Sequence, residues 1–357
     1  MTLERLSQTV AAMKEQKAEA FLIGNLVNIR YLTGFTGSNA LLVVLPDRFL
    51  FWTDPRYTLQ AAREVGPHVL IATGPLYLAA EKWLARKHLR GIGFERETLR
   101  FDQFELLSKR LKLLPLSGIV ERIRTVKSTD EIEKIEAAVA TNSKAFELAL
   151  KSVKPGMTES ALAGLIDYRM RQAGAEGNAF ETIVASGFRS ALPHARPDGT
   201  RLADGGLVLV DMGARRDGYS SDMTRMLHLG EPPRKTRKLY SAVLEAQLAA
   251  IDCVRPGIAA TRVDAAARNV LHSHGLAERF VHSTGHGLGL EIHEDPRVGK
   301  RSKAKLEAGM VITIEPGIYL DGWGGIRIED TVVVTPTGCR VLTPTPKELR
   351  IVNSTVT

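Results

Sequence analysis

Four acids, Asp211, Asp222, Glu315 and Glu329, lie at the ends of apolar runs such as LVLV, VITI and IRI. Three histidines crowd into the thirteen residues HSTGHGLGLEIHE at 282–294. Carboxylates and imidazoles are the groups that bind divalent cations and carry protons near neutral pH. The histidine spacing is not HExxH, which would put two zinc ligands on one helical face. Glycines 285, 287 and 289 argue against any helix, since each costs about 1 kcal/mol there relative to alanine. An unbroken strand would point His286 and His293 to opposite faces, because they are an odd number of residues apart. The glycines allow a break, so spacing alone leaves open whether both reach one site.

The acids are better placed by the elements around them. In LVLVDMGARRDGYSSDMTRML, 207–227, apolar runs flank a polar turn containing Asp217-Gly218, a hairpin signal. A turn centred between Arg216 and Asp217 pairs Asp211 directly with Asp222, with Cβ atoms about 4.5–5.5 Å apart on one face. In MVITIEPGIYLDGWGGIRIEDTVVV, 310–334, centring on Gly322 pairs Glu315 with Glu329. Alternation then sends Ile326 and Ile328 to the core and Arg327 and Glu329 to the other face. This second turn is long enough for a bulge to shift the register. Burying four unpaired carboxylates would exceed the net stability of a domain. Two divalent cations would match their formal charge, and carboxylate bridges suit ions about 3.5–4 Å apart. An oxygen-rich set with one imidazole favours Mn²⁺, with Co²⁺ or Zn²⁺ as alternatives.

Residues 1–123 alternate strand runs (20–24, 41–45, 49–52, 69–73) with helical patterns (55–65, 76–88, 102–113), which predicts an α/β domain. The stretch 125–153 reads as a helix with Ser128 or Thr129 as N-cap and acids in its first turn. The boundary falls just before it, giving a second domain over 124–357. That domain carries an internal echo. VKPGMTESAL at 153–162 and VRPGIAATRV at 254–263 each precede, by some 50 to 60 residues, an acid-bearing strand, LVLVDMG or MVITIEPG. Turn, helix and acid-bearing strand recur in the same order, which points to a duplicated α+β fold.

The 357 residues, 44% hydrophobic and 25% charged, suit two soluble globular domains. The sequence has no apolar run of membrane-spanning length. The N-terminus has the period of a charged helix, not of a signal-peptide core. Cys253 and Cys339 are far apart and lack metal spacing, as suits a reducing cytoplasm. The net charge of +8 invites a nucleic-acid partner. The basic clusters RKTRK (234–238) and KRSKAK (300–305) are short and lack interleaved aromatics, so they read as solvated surface. His68, His88, His228, His272 and His274 have no partner motif and read as surface or core residues.

With these residues in view, the sequence resembles the Xaa-Pro peptidases of the pita-bread metallopeptidase family, the group of aminopeptidase P and prolidase. HSTGHGLGLEIHE fits the signature H-x-x-G-H-x-x-G-x-x-x-H-[DE] without a mismatch. TDPRY (53–57), SALPH (190–194), VDMG (210–213), SDMTR (221–225), EPGIY (315–319) and GGIRIED (324–330) fit as well. The resemblance covers the whole chain. It implies a duplicated pita-bread α+β catalytic domain behind a smaller creatinase-like α/β domain. It makes Asp211, Asp222, His286, Glu315 and Glu329 the ligands of two metal ions, adding His286 to the acids. It also implies that His194, His282 and His293 line the substrate pocket without binding metal.

On this reading the enzyme cleaves the bond between an N-terminal residue and a following proline. Glu315 carries the proton, and His293 and His194 stabilise the oxyanion. Arg327 holds an acid in place by an ion pair and borders the substrate site. The short chain and FTGSNA at 35–40 lean toward aminopeptidase P, with a prolidase acting on dipeptides as the alternative. The resemblance further implies a cytoplasmic homodimer built through the N-terminal domain, which would help close the substrate site. Metal-free relatives that contact RNA or histones, and creatinase-like hydrolases, are disfavoured by the complete ligand set.

Overall fold

The computed structural model describes residues 3–353. Two compact units divide at Arg124 and Thr125. In the first, helices α1 (Leu3–Glu15), α2 (Leu26–Thr33), α3 (Thr58–Glu64), α4 (Leu76–Leu84), α5 (Phe101–Ser108) and α6 (Ile119–Thr125) accompany six strands. These are β1 (Ala20–Ile23), β2 (Ala40–Val44), β3 (Phe49–Thr53), β4 (Val69–Ile71), β5 (Ile92–Glu95) and β6 (Leu113–Leu116), in sheet order β4-β3-β2-β1-β5-β6. β1 and β2 are buried along their whole length, which explains why they read as continuous apolar runs. The helix expected over 102–113 stops at Ser108, because Leu113 instead opens β6 and pairs with Ile92 of β5. The pattern at 55–65 begins as a 3₁₀ turn, Pro55–Tyr57, capped by Asp54. Asn39 and Arg56 both donate to Asp54, and the Ser38 and Tyr57 hydroxyls lie 2.7 Å apart, so FTGSNA and TDPRY form one polar patch.

In the second unit the long helix α7 runs over Thr129–Leu150 rather than from residue 125. Ser128 caps it in a reciprocal box with Glu131, and the amide of Lys127 donates to the Gly309 carbonyl, which holds the preceding residues extended. Next come α8 (Glu159–Gln172), β7 (Gly177–Asn178), β8 (Ile183–Ser186), β9 (Leu207–Met212), β10 (Ala214–Arg216), β11 (Tyr219–Ser220) and β12 (Met223–Leu229). Helices α9 (Arg234–Cys253) and α10 (Ala260–Ser273) precede β13 (Gly285–Gly287), β14 (Glu294–Val298), β15 (Val311–Ile314), β16 (Gly317–Leu320), β17 (Gly324–Arg327), β18 (Asp330–Val334), β19 (Cys339–Val341) and β20 (Arg350–Val352). The two larger sheets run β20-β12-β9-β8 and β14-β13-β15-β18-β19.

The internal echo is a duplication in space. Each helix pair, α7–α8 and α9–α10, is joined by a Pro-Gly turn whose glycine has a left-handed φ, 83° at Gly156 and 82° at Gly257. Gly156 donates to the Leu202 carbonyl and Gly257 to that of Leu306, and Thr158 bridges Arg201 as Ala259 bridges Lys305. Apolar side chains of both halves, among them Leu209, Met226, Val263, Ile312, Ile326 and Ile328, share one core.

Candidate metal centre

The first hairpin differs from its expected register. Asp211 pairs with Thr224, not with Asp222, because the two-residue loop is Asp217-Gly218 itself. Both loop residues have positive φ, 51° and 82°, the conformation a type I′ turn requires. The shift moves Asp222 to a diagonal position. It stays on the face of Asp211, since it lies two residues from Thr224 on the same strand. The second hairpin keeps the expected register: Ile314 pairs with Asp330 and Gly317 with Arg327, which sets Glu315 opposite Glu329. Ile326 and Ile328 are wholly buried in the core, and Arg327 and Glu329 turn to the other face.

Glycine explains how the histidine segment enters this site. A Cβ on Gly285 would collide with the Thr313 carbonyl, and one on Gly287 with the Asp295 carbonyl. A Cβ on Gly289 would lie 2.8 Å from the Glu294 carboxylate. Backbone therefore packs against backbone along β13, and the chain reverses between β13 and β14 with Leu288 and Leu290 buried. The reversal brings His286 and His293 together, ring centroids 4.4 Å apart and edge to face.

The carboxylates and His286 converge. Asp222, His286 and Glu329 each offer a ligand atom within 4.8 Å of the others. His286 Nε2 lies 3.6 Å from Asp222 and 3.5 Å from Glu315. Its Nδ1 sits 3.0 Å from the Gly287 carbonyl, which assigns the proton to Nδ1 and aims the Nε2 lone pair at the acids. Burial pushes His286 down to about 4, so the ring is neutral at pH 7.

The acids move the other way. Burial, then Glu329, Asp211 and Glu315, raise Asp222 well above the carboxylate range, and burial with Glu315 and Asp211 does the same for Glu329. Burial lifts Glu315 to about 8. Asp211 gives one oxygen to Arg327 Nη2 at 2.6 Å, while its Oδ1 is buried without a hydrogen-bond donor. A buried acceptor with no donor, three acids held away from their ordinary charge state and a neutral imidazole together form a site that fits divalent cations. Arg327 changes the expected charge balance. With its guanidinium beside the four carboxylates, two divalent ions would leave one positive charge in excess, to be met by an anionic group.

The remaining predicted residues surround this cluster. Arg327 is 3% exposed and donates to Thr224 Oγ1, Tyr319 Oη, the Pro193 carbonyl and Asp211. It therefore stands behind the acids, and the expectation that it borders the substrate does not fit this geometry. His282 Nε2 lies 2.9 Å from the Tyr319 hydroxyl, which Arg327 also reaches, and burial with Arg327's charge lowers His282 to about 4. His293 is exposed, and burial of part of its ring, then the neighbouring His194, holds it below the usual histidine value. His194 is exposed on the turn held by Arg327 through Pro193.

Sequence reasoning missed Thr224, which accepts from Arg327 and donates to Glu329 at 2.7 Å, and Tyr319, which links Arg327 to His282. Centring the first turn on Asp217-Gly218 would have placed Thr224 opposite Asp211.

A fold of this kind, with two helix-and-sheet halves around one acid cluster, is matched by known families. Residues 133–336 match metallopeptidase family M24, and residues 5–126 match the creatinase/prolidase N-terminal domain. The chain belongs to metallopeptidase family M24. Across 351 residues it is 36% identical to the Xaa-Pro dipeptidase of Pyrococcus furiosus, covering 97% of this chain and 99% of that one. The solved Xaa-Pro dipeptidase from Bacillus anthracis is 37% identical with a TM-score of 0.95, covering 98% of this chain and 99% of its own. The X-Pro aminopeptidase from Thermotoga maritima is 36% identical with a TM-score of 0.90, covering 96% and 100%.

Proposed function

We propose that this protein is a two-metal Xaa-Pro dipeptidase, cleaving the imide bond of dipeptides that end in proline. The convergence of Asp222, His286 and Glu329 within 4.8 Å, with Asp211 and Glu315 alongside, carries the metallohydrolase reading. The dipeptide substrate rests on the Xaa-Pro dipeptidases of Pyrococcus furiosus and Bacillus anthracis, which favour the prolidase alternative over the aminopeptidase P reading of the sequence. The Thermotoga likeness keeps aminopeptidase activity as the second reading.

Asp211, Asp222, His286, Glu315 and Glu329 would hold the two ions, with Mn²⁺ the best match to four carboxylates and one imidazole. The ions would supply Lewis acidity toward water and the scissile carbonyl. An imide nitrogen has no N–H and must be protonated as it leaves. Glu315, a carboxylate at the edge of the acid cluster, would carry that proton. His293 and His194, both exposed, would stabilise the oxyanion, and His282, hydrogen-bonded to Tyr319, would orient the substrate.

The test compares a Xaa-Pro dipeptide with a Xaa-Pro-Xaa tripeptide. A higher kcat/KM for the dipeptide is expected, a preference for the tripeptide would move the assignment to aminopeptidase P, and cleavage of neither would overturn both. Dialysis against a chelator should abolish the activity and Mn²⁺ restore it. Full activity in protein shown metal-free by elemental analysis would refute the metal mechanism.

A further inference from the structure

A second polar cluster lies behind the acids and is not used by the proposed chemistry. Arg225, one residue after Thr224 on β12, is completely buried. A guanidinium stays charged and carries five N–H donors, so burying one demands a counter-charge and five acceptors. All are present. Nε donates to the Pro346 carbonyl at 2.9 Å. Nη1 donates to the carbonyls of Thr224 at 3.0 Å and Glu329 at 2.5 Å. Nη2 donates to Asp330 Oδ1 and to the Thr345 carbonyl, each at 2.7 Å. Asp330, equally buried, also accepts from Gln247 Nε2 at 2.8 Å and from the Lys347 ammonium. The Tyr240 hydroxyl donates to the Lys347 carbonyl.

Two of those acceptors are the main-chain carbonyls of Thr224 and Glu329. The side chains of the same two residues are joined by the 2.7 Å bond from Thr224 Oγ1 to Glu329 Oε2. Arg225 thus fixes the backbone at both ends of the bond that aims the Glu329 carboxylate into the site. Its other partners, Thr345 and Pro346, belong to the segment that leads into β20, which runs parallel to β12 with Leu227 beside Arg350.

We propose that Arg225 is a positioning residue of the metal centre, holding Glu329 in its aim and tying that aim to Asp330 and to the segment Thr345–Lys347. This rests on the reading of Glu329 as a metal ligand. A cluster that served stability alone could be exchanged without consequence for the ions, since buried ion pairs are often replaceable by apolar packing. The geometry demands more: a single-point ammonium cannot reach five acceptors spread over three segments.

Calorimetric titration of the full-length, chelator-treated protein with Mn²⁺ tests this, using wild type, Arg225→Lys, Arg225→Met, Glu329→Gln and Leu162→Ala. Leu162, on α8, is buried among apolar side chains that include Phe146 of α7 and takes no part in the hydrogen bonds around Arg225, so it serves as a control for general destabilisation. Arg225→Met should weaken Mn²⁺ binding by about 10–100-fold, as loss of a group that orients a ligand does. Arg225→Lys should fall between it and wild type, and Leu162→Ala should keep the wild-type Kd despite a lower Tm. If the Arg225 variants bind no more weakly than Leu162→Ala, the proposal is overturned. Wild-type binding by Glu329→Gln would instead overturn the metal reading and this proposal with it. Should Arg225→Met fail to fold, Arg225→Lys decides by the same comparison.

Discussion

His286 and His293 touch ring to ring, yet their surroundings assign them different tasks. His286 turns a neutral Nε2 toward Asp222 and Glu315, whereas His293 is exposed. His286→Ala should lose metal and nearly all activity. His293→Ala should keep both ions and lose kcat by about 10²–10³-fold, as for removal of one oxyanion donor. His282→Ala should raise KM more than it lowers kcat. Metal analysis beside steady-state kinetics separates the three, and a metal-depleted His293→Ala with a metal-replete His286→Ala would reverse the assignment. Charge gives a further test. In protein stripped of divalent ions, the raised pKa values of Glu315, Asp222 and Glu329 favour the fold at low pH, a contribution lost as pH climbs above the ordinary carboxylate range, for Glu315 through about 8. The lowered values of His282 and His286 act oppositely, their contribution being lost as pH falls from 6.5 toward about 4. Above pH 6.5 the histidines have largely finished and the acids still change, while Lys347, which burial lowers to about 8, acts oppositely once pH passes that value, so the Tm of the stripped protein should fall between pH 6.5 and 7.5. A rising Tm over that range would contradict the charge assignment. The acids were legible in the sequence because charge at the end of a buried strand is anomalous. Thr224 and Tyr319 were not, because a threonine and a tyrosine in a strand are ordinary residues until their hydroxyls find partners.

Hairpin register decided how much of the site could be read at the level of elements. The long second turn was placed correctly by symmetry about Gly322, while the short first one was misplaced because the loop is Asp217-Gly218 alone. A single step of this kind moves a partner by two positions and so preserves its face, which is why Asp222 still reaches the cluster. The two halves consequently differ: the second acid is directly opposite its partner at Glu329 and diagonal at Asp222. Position 222 should tolerate no change of charge, and Asp222→Asn should lower metal content together with rate. A folded Asp222→Asn protein holding two ions per chain would contradict this placement. The histidine segment was unreadable by period because β13 lasts only three residues before the chain reverses. Gly285 and Gly287 are required by contact between backbones. Gly285→Ala should cost about 1–3 kcal/mol through overpacking and also displace His286. A Tm and a metal content both equal to wild type would show that the strand has room to move.

For the molecule as a whole, the duplication was visible in the sequence from two Pro-Gly turns and two acid-bearing strands, and its equivalent hydrogen bonds at Gly156 and Gly257 were not. In the first unit, β5 and β6 escaped detection because β5 is interrupted by Gly93 and ends on Glu95, while β6 contains Pro115 and its first residue falls within the helical pattern 102–113. The homodimer implied by the family resemblance remains a proposal, checked by sedimentation velocity, where a single species of monomer mass would refute it. The ligand set has one more consequence. Residues 211, 222, 286, 315 and 329 are remote in sequence, so ions joining them would act as a cross-link that closes long loops in the unfolded chain. Mass action then makes resistance to heat a property of the surrounding solution: once free metal exceeds its Kd, each tenfold increase should add about 1.4 kcal/mol per ion. Scanning calorimetry at increasing Mn²⁺ should show a Tm that keeps climbing past saturation of the activity, so that the enzyme's lifetime on heating is set by its medium as much as by its sequence.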